Sequence, residues 1–399
     1  MDLATIAYFA KVKGLGLVGT GDITHPAWRR EVGENLQYSP ETGLYRLKRR
    51  PEFPVMFIPS CEVATVFEYE GRVRRVHHCL LIPDLEVAEQ LADLYSKWAN
   101  LAVDGRPTFN VTAEELLEVT LSVSPWIEVF PAHAWTPWWS VFGAKGGFDR
   151  LEECYGGLVG KIHALETGLS SDPPMNWRVS WLDAYQLVSN SDCHSPHPHR
   201  LGREATIFEV KEPTYRTLVE AVRTGKGLWG TIETWPEYGK YHWSGHRACG
   251  VSLPPEEALK KGNRCPRCGK PLTKGVEQRV EELADRPRGF SRPNAVHVIY
   301  LLPLHEVIAK VLGATSPTAK RVEELYNRLV QAFGNEYQVM LDAPLELVAK
   351  IAGGEVAAAI GAVRQGRVKV VPGYDGVYGE VVLPAEGEQP TGGSLDHYI

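Results

Sequence analysis

Five short islands of Asp, Glu and His, each closing a β-branched or apolar run, constrain this chain more than anything else in it. They are Gly19 to His25 (carrying Asp22 and His25), Ser60-Cys61-Glu62, His77-His78, Ala132-His133-Ala134-Trp135 and Ser191-Asp192-Cys193-His194. From residue 1 to about 240 such runs alternate with helical stretches, the pattern of an α/β fold. In parallel α/β sheets and barrels the carboxyl ends of the strands face the functional side, so separated strands can gather imidazoles and carboxylates around one pocket. Neutral His and ionised carboxylates can hold several divalent cations close together, which points to metal-assisted hydrolysis. Periodicity alone does not separate a barrel from an open doubly wound sheet.

The coarse element pattern follows from the same reading. Asp2 opens a helix that runs through Ile6, Phe9 and Ala10 toward Lys13 and stops at Gly14. Expected strands are 16–19, 54–58, 127–130, 160–165 and 185–188, with 65–69 and 74–82 forming a hairpin about Glu70-Gly71. Helices are expected over 86–99, 112–118 (a Thr-x-x-Glu capping box at Thr112 to Glu115), 215–224, 304–312, 316–333 and 345–364. Segments 296–301 and 335–341 read as alternative short strands, and the tail 384–399 as frayed. Gly373-Tyr374-Asp375-Gly376 reads as a turn, because no Lys-Ser/Thr follows it.

Composition narrows the class. Hydrophobic content of 44% and charged content of 23% are ordinary for a folded, water-soluble chain. No apolar run approaches the roughly 20 residues that cross a bilayer, and no secretory leader is visible, so a cytoplasmic protein without a membrane partner is expected. Four of the seven cysteines (Cys61, Cys79, Cys154, Cys193) stand singly in apolar contexts, which is no disulfide framework. A net charge of −6 gives no global attraction for nucleic acid. Local basic runs at Arg29-Arg30, Arg46 to Arg50 and Arg72 to Arg75 could still contact phosphates, although solvated loop charge is the simpler reading of each.

Segment 241–276 is poor in apolar periodicity and needs another source of stability. His246-x2-Cys249 and Cys265-x2-Cys268, separated by fifteen residues and each followed by a glycine (Gly250, Gly269), supply two knuckles. Such spacing lets both side chains of a knuckle reach one tetrahedral zinc ion, and a closed Cys3His shell makes the ion structural.

Taken together, the islands resemble the polymerase-and-histidinol-phosphatase (PHP) family of metal-dependent phosphoesterases. The wording of Gly19 to Pro26, Pro131 to Trp138, Leu165 to Trp177 and Ser189 to Pro196 is similar to the endonuclease Q branch, and the resemblance covers nearly the whole chain. It implies a PHP-type distorted (β/α)7 barrel over 1–240, a zinc module over 241–276 and a mainly helical C-terminal domain over 277–399. The metal ligands it implies are Asp22, His25, Glu62 as a bridging carboxylate, His77 rather than His78, His133, Asp192 and His194. Of these, Asp22, Glu62, His133, Asp192 and His194 are the catalytic set. Up to three cations (Mg²⁺, Mn²⁺ or Zn²⁺) are implied beside the structural zinc. Arg203, Glu166 and Trp138 are its candidate substrate-binding residues, though Glu166 reads equally well as a cap and the Trp135 to Phe142 aromatics as a plug over the barrel.

The function implied is incision of damaged DNA 5′ to uracil, hypoxanthine, xanthine or an abasic site, leaving a 3′-hydroxyl and a 5′-phosphate. A replication sliding clamp stays open as a partner, although the tail holds no convincing clamp-binding peptide. Two rivals remain: a small-molecule phosphoesterase, which needs neither zinc module nor helical domain, and a non-catalytic lesion binder. The second rests on one departure: the family's first strand, ending in a His-x-His ligand pair, has no counterpart here. A start placed too far downstream, or a shortened chain, is expected over a natural loss.

Overall fold

The computed structural model describes Asp2 to Pro384, so the tail from residue 385, with the clamp-peptide reading attached to it, lies outside the described residues. Helix Leu3–Lys13 is capped by the Asp2 carboxylate, which accepts the Thr5 N–H at 2.9 Å, and closes on Gly14 at φ 104°, a left-handed turn that favours glycine. Leu17–Gly19 runs parallel to Met56–Ile58. The hairpin Ser60–Tyr69/Arg72–Leu81 turns at Glu70-Gly71, both at positive φ as a tight hairpin turn requires. Glu128–Pro131 pairs antiparallel with Arg72–Leu81, and Ala164–Glu166 runs parallel to Gln186–Val188. Among the described residues these strands form separate short ladders, with no closed ring of hydrogen bonds.

Among the described residues two large apolar cores dominate, with three smaller clusters beside them. One joins Leu3, Ile6, Val63, Leu91 and Leu116, among others, to Val276 and Val280 of the helix Val276–Leu283. The other is built by the helices Leu304–Val311, Lys320–Phe333, Leu345–Ala352 and Gly354–Arg364 around Val307, Leu329 and Ile360. They are joined by a shared sheet, in which His297–Tyr300 runs parallel to Leu228–Glu233. No helix among the described residues is long and apolar enough to cross a membrane.

Several expected elements differ in detail. The segment 335–341 is helical, ending in the wide turn Gln338–Asp342, because Asn335 caps the Gln338 N–H instead of extending the chain. The single helix expected over 345–364 is two, broken at Gly353, whose φ of 92° no helix accommodates. The helix expected from residue 86 is Leu85–Tyr95, and that expected from 316 begins at Lys320. The run 160–165 starts as a 3₁₀ turn, Gly156–Lys161, and its strand is Ala164–Glu166. Glu62 lies within a strand rather than beyond one.

One interior layer is polar. Strands alternate with period two, so Glu204, just before Ala205–Phe208, and Thr206 share a face with Thr231 and Glu233 of the antiparallel Leu228–Glu233. The Ser189 hydroxyl lies 3.3 Å from Glu204 and 3.0 Å from Glu233, and its single proton can serve one carboxylate at a time. Burial pushes Glu204 up to about 8, and burial with the Glu204 charge beside it holds Glu233 well above the carboxylate range. Folding therefore tightens the Glu204 proton relative to an unfolded pKa of about 4.3. Stability from this group is fully present below that value and is lost as pH rises toward about 8, with a limiting slope of about 1.4 kcal/mol per pH unit. Glu204→Gln should flatten the fall in melting temperature between pH 6 and pH 9. An unchanged pH profile would count against a neutral Glu204.

Candidate metal centre and active site

The hairpin sets the first two side chains. Its register places Glu62 opposite Cys79 and Ala64 opposite His77, so Glu62 and His77 share one face while His78 turns to the other. There His78 contacts the Thr65 hydroxyl and the Tyr155 phenol, each at 2.9 Å, and burial with the neighbouring His77 lowers it to about 3, a neutral structural histidine. His133, just past Glu128–Pro131, completes a triangle. Glu62 Oε1 lies 2.9 Å from His77 Nδ1 and 3.4 Å from His133 Nε2, and the two ring nitrogens are 3.1 Å apart. An ion with bonds of about 2.1 Å has ligand-to-ligand edges of about 3.0 Å in octahedral and about 3.4 Å in tetrahedral coordination. Glu62 Oε1 is buried and receives no aligned hydrogen bond, so this donor set fits one face of one ion.

Charge in the triangle is balanced by a residue that the sequence did not single out. Arg106 places Nε 2.8 Å from Glu62 Oε1 and Nη2 2.9 Å from Oε2. Burial pushes the Glu62 carboxyl up, but His133, His77 and the Arg106 charge outweigh it and hold it well below the carboxylate range. Burial lowers His77, whereas in His133 it is overcome by Glu62 and the ring is raised. Arg106 sits in the Asp104-Gly105-Arg106-Pro107 loop, where nothing local marks it.

Three strand ends share one local geometry. Asp22, His133 and Asp192 have φ of 41°, 32° and 42°, left-handed values that non-glycine residues seldom adopt and that gather at functional sites. The fourth strand, Ala164–Glu166, is followed by Gly168 at φ 60°, where an added β-carbon would meet His133 Cβ at 2.8 Å. Glu166, buried, accepts the His133 backbone N–H at 2.8 Å and the Asn190 amide at 2.8 Å. Burial raises it to about 7, with His133 and Asn190 opposing.

The remaining expected ligands lie outside the triangle. Asp22, Asp192 and His194 are exposed, and His25 caps the helix Pro26–Asn35, its Nδ1 accepting the Trp28 N–H at 3.4 Å. The structure thus gathers donors for one ion and leaves those for a second and third apart. Arg203, expected at a phosphate, directs Nε and Nη2 to the Ser191 carbonyl at 3.3 and 3.2 Å and steadies the turn before Asp192. Trp138 is 40% exposed, its ring edge-on to Tyr241. His163 pairs with Glu128 at 3.0 Å.

A cavity of about 320 Å³ opens beside these loops, at the small end of ligand sites. Arg200, Arg203 and Lys310 line it with Thr234, Tyr238 and Glu306. Tyr238 donates its hydroxyl to Glu306 at 2.9 Å, and burial raises that carboxyl. Leu169, next to Gly168, and Arg203 connect the cavity to the His133 and Asp192 turns.

At the far knuckles, His246, Cys249, Cys265 and Cys268 bring their ligand atoms within 4.8 Å of one another, with His246 Nδ1 3.5 Å from Cys268 Sγ. For bonds of about 2.0 to 2.3 Å, tetrahedral edges are about 3.3 to 3.8 Å, so this set could hold a structural zinc. Gly250 and Gly269 take φ of 60° and 72°, which is why a glycine follows each knuckle. The Arg267 and Cys268 amides overcome burial and lower the Cys265 thiol to about 6, favouring the thiolate.

Several known proteins are similar to this chain. Residues 303–367 match a family model described as the MJ0043 C-terminal domain. The uncharacterized protein MJ0043 of Methanocaldococcus jannaschii is 34% identical over 255 residues, which are 62% of this chain and 31% of that protein, so the chain spans under a third of that relative's length. The uncharacterized protein YqxK of Bacillus subtilis is 28% identical over 315 residues, 77% of this chain and 73% of its own. Among solved structures, the lesion-specific endonuclease PfuEndoQ of Pyrococcus furiosus superposes with a TM-score of 0.84 at 36% identity, over 97% of this chain and 91% of that one. An endonuclease Q complexed with a 27-mer duplex substrate, with an abasic lesion at the active site, matches with the same TM-score and identity over 97% and 92%. Identity of this order across nearly all of both chains, and not in one domain alone, goes beyond a shared fold: the chain belongs to the endonuclease Q family.

Proposed function

We propose that this chain is a DNA repair endonuclease that cleaves the phosphodiester 5′ to uracil, hypoxanthine, xanthine or an abasic site. The observation that carries the reading is the Glu62–His77–His133 triangle, an ion-sized donor set in a chain so similar to a lesion-specific endonuclease. Asp22, His25, Asp192 and His194 are assigned to further cations at the same centre. When bound, divalent ions (Mg²⁺, Mn²⁺ or Zn²⁺) supply Lewis acidity for phosphodiester hydrolysis.

The chain's own groups would bind and orient the DNA. The cavity is assigned to the extruded base or its sugar, with the Tyr238 and Tyr378 rings as stacking faces and Thr234 and Glu306 as polar partners for the base edge. Arg200 and Lys310 would meet the flanking phosphates, and Arg203 would hold the Asp192 turn through Ser191. Exposed Trp138 is assigned to stacking against the opened duplex. The zinc at His246, Cys249, Cys265 and Cys268 would be structural.

A second reading, a lesion binder without chemistry, is favoured by the separation of Asp22, His25, Asp192 and His194 from the triangle. Analysis of product ends tests both. A duplex with one uracil should be incised on its 5′ side to leave a 3′-hydroxyl that a polymerase extends, and Glu62→Ala should slow incision by about 10³-fold or more, as losing several kcal/mol of transition-state stabilisation requires. Blocked ends, or incision that Glu62→Ala does not slow, would overturn the endonuclease reading. Tight lesion binding with no incision would establish the second.

A further inference from the structure

The turn that follows His133 treats the two imidazoles of the triangle differently. His133 Nδ1 lies 3.0 Å from the Thr136 hydroxyl, a hydrogen bond of the kind that fixes the ring of a metal-binding histidine. The Nε2 of His77 makes no hydrogen bond among the described residues, and a histidine ring is loosely fixed about its last torsion. Beyond the Nδ1 contacts with Glu62 and His133, the group packed on this ring is Trp139. The indole lies on the His77 ring, centroids 5.0 Å apart and planes at 29°, and the Trp139 carbonyl accepts the His77 backbone N–H at 3.1 Å. The Arg75 guanidinium lies 5.9 Å from the Trp139 ring centre.

Trp139 holds this place at φ 61°, a left-handed value that is an outlier for a bulky side chain. The loop leaves it little alternative. Phe142 N–H donates to the Ala134 carbonyl at 2.9 Å and Lys145 N–H to Pro137 at 2.9 Å. Gly143 and Gly147 pack so closely that an added β-carbon would come within 2.3 Å of backbone atoms. Strained residues held in this way by their surroundings gather at functional sites.

We propose that Trp139 is a positioning residue that fixes the His77 ring, and so the triangle, for a divalent ion. The proposal rests on reading Glu62, His77 and His133 as an ion site. The test is Mn²⁺ affinity by calorimetry on protein carrying one equivalent of zinc, enough for the thiolate knuckles alone, which Mn²⁺ competes for poorly, with the melting temperature of the Mn²⁺-free protein read in parallel. Trp139→Phe keeps a ring and should bind within a few-fold of the original chain. Trp139→Gly relieves the left-handed backbone but removes the ring, and should lose about 10- to 100-fold in affinity. If Trp139→Gly does not fold, Trp139→Asn, which also tolerates this backbone, takes its place.

Unchanged affinity in the variant lacking the ring would overturn the proposal. So would losses in both variants that track their melting temperatures, since that marks a packing role. Glu62→Ala separates the two layers. If it abolishes Mn²⁺ binding while loss of the Trp139 ring does not weaken it, positioning fails and the ion site stands. If Glu62→Ala leaves binding intact, the ion site itself fails.

Discussion

Cys268→Ser is expected to release one equivalent of zinc and unfold the segment between the Ser244–His246 strand and Leu272. That segment has almost no core of its own: its buried apolar set is Val251, Ala258, Cys265 and Leu272. Val251 and Leu272 contribute about 1.5 to 3 kcal/mol each when fully buried and Ala258 less, while Cys265 is itself a knuckle thiol, against an apparent 10 to 16 kcal/mol for a structural zinc at neutral pH. The ion therefore outweighs the packing, and its loss should be felt as local unfolding. Hydrogen exchange with parallel zinc analysis reads it: protection should vanish across residues 244–272 and persist in Val276–Leu283, which packs on the main core. Full protection in zinc-free protein would show that the knuckles fold without an ion.

Lys13→Met should destabilise the protein by about 3 to 5 kcal/mol, the usual result of removing one member of a buried ion pair. Lys13 and Glu336 are each 1% exposed, with Nζ 2.7 Å from the carboxylate. Nζ also donates to the Pro198 carbonyl at 2.9 Å, and Glu336 accepts the Tyr326 hydroxyl and the Leu304 N–H. Removing the ammonium leaves a buried charge with two weaker donors. Adding Glu336→Gln to Lys13→Met should recover part of the loss, because the uncompensated charge is then gone. Denaturant unfolding of both proteins reads the difference. A cost below about 1 kcal/mol for Lys13→Met would mean that water reaches the pair.

That pair joins residues 323 positions apart, and no local pattern announces it. What local chemistry does announce was legible. Asp2 and Gly14 bound the first helix, Thr112 caps its helix through Glu115, and Glu70-Gly71 turns the hairpin, each through contacts within a few residues. The Cys3His knuckles carry their geometry in their spacing, and strand alternation announces that only one of His77 and His78 can face the centre, while the hairpin register shows that it is His77.

The candidate centre was legible as a set of strand ends, but its present grouping was not. Glu62, His77 and His133 meet because a hairpin register and a strand end coincide in space. His25 is diverted to a helix cap, and Asp22, Asp192 and His194 stay on exposed turns. Arg106, the orientation of Trp139 and the facing carboxylates Glu204 and Glu233 depend on tertiary neighbours, so nothing local in residues 104–107 or 203–206 marks them. The break at Gly353 was missed for a different reason: apolar periodicity continues across it while the backbone does not.

The most direct measurement of the central claim is nicking of three labelled duplexes, one with a single uracil, one with a single hypoxanthine and one undamaged, in Mg²⁺ or Mn²⁺, with Asp192→Ala as the control for contaminating nuclease. The account predicts incision beside each lesion, none in the undamaged duplex, and loss of both incisions in the variant. Absence of lesion incision by folded, zinc-loaded protein, or equal cutting of the undamaged strand, would contradict it.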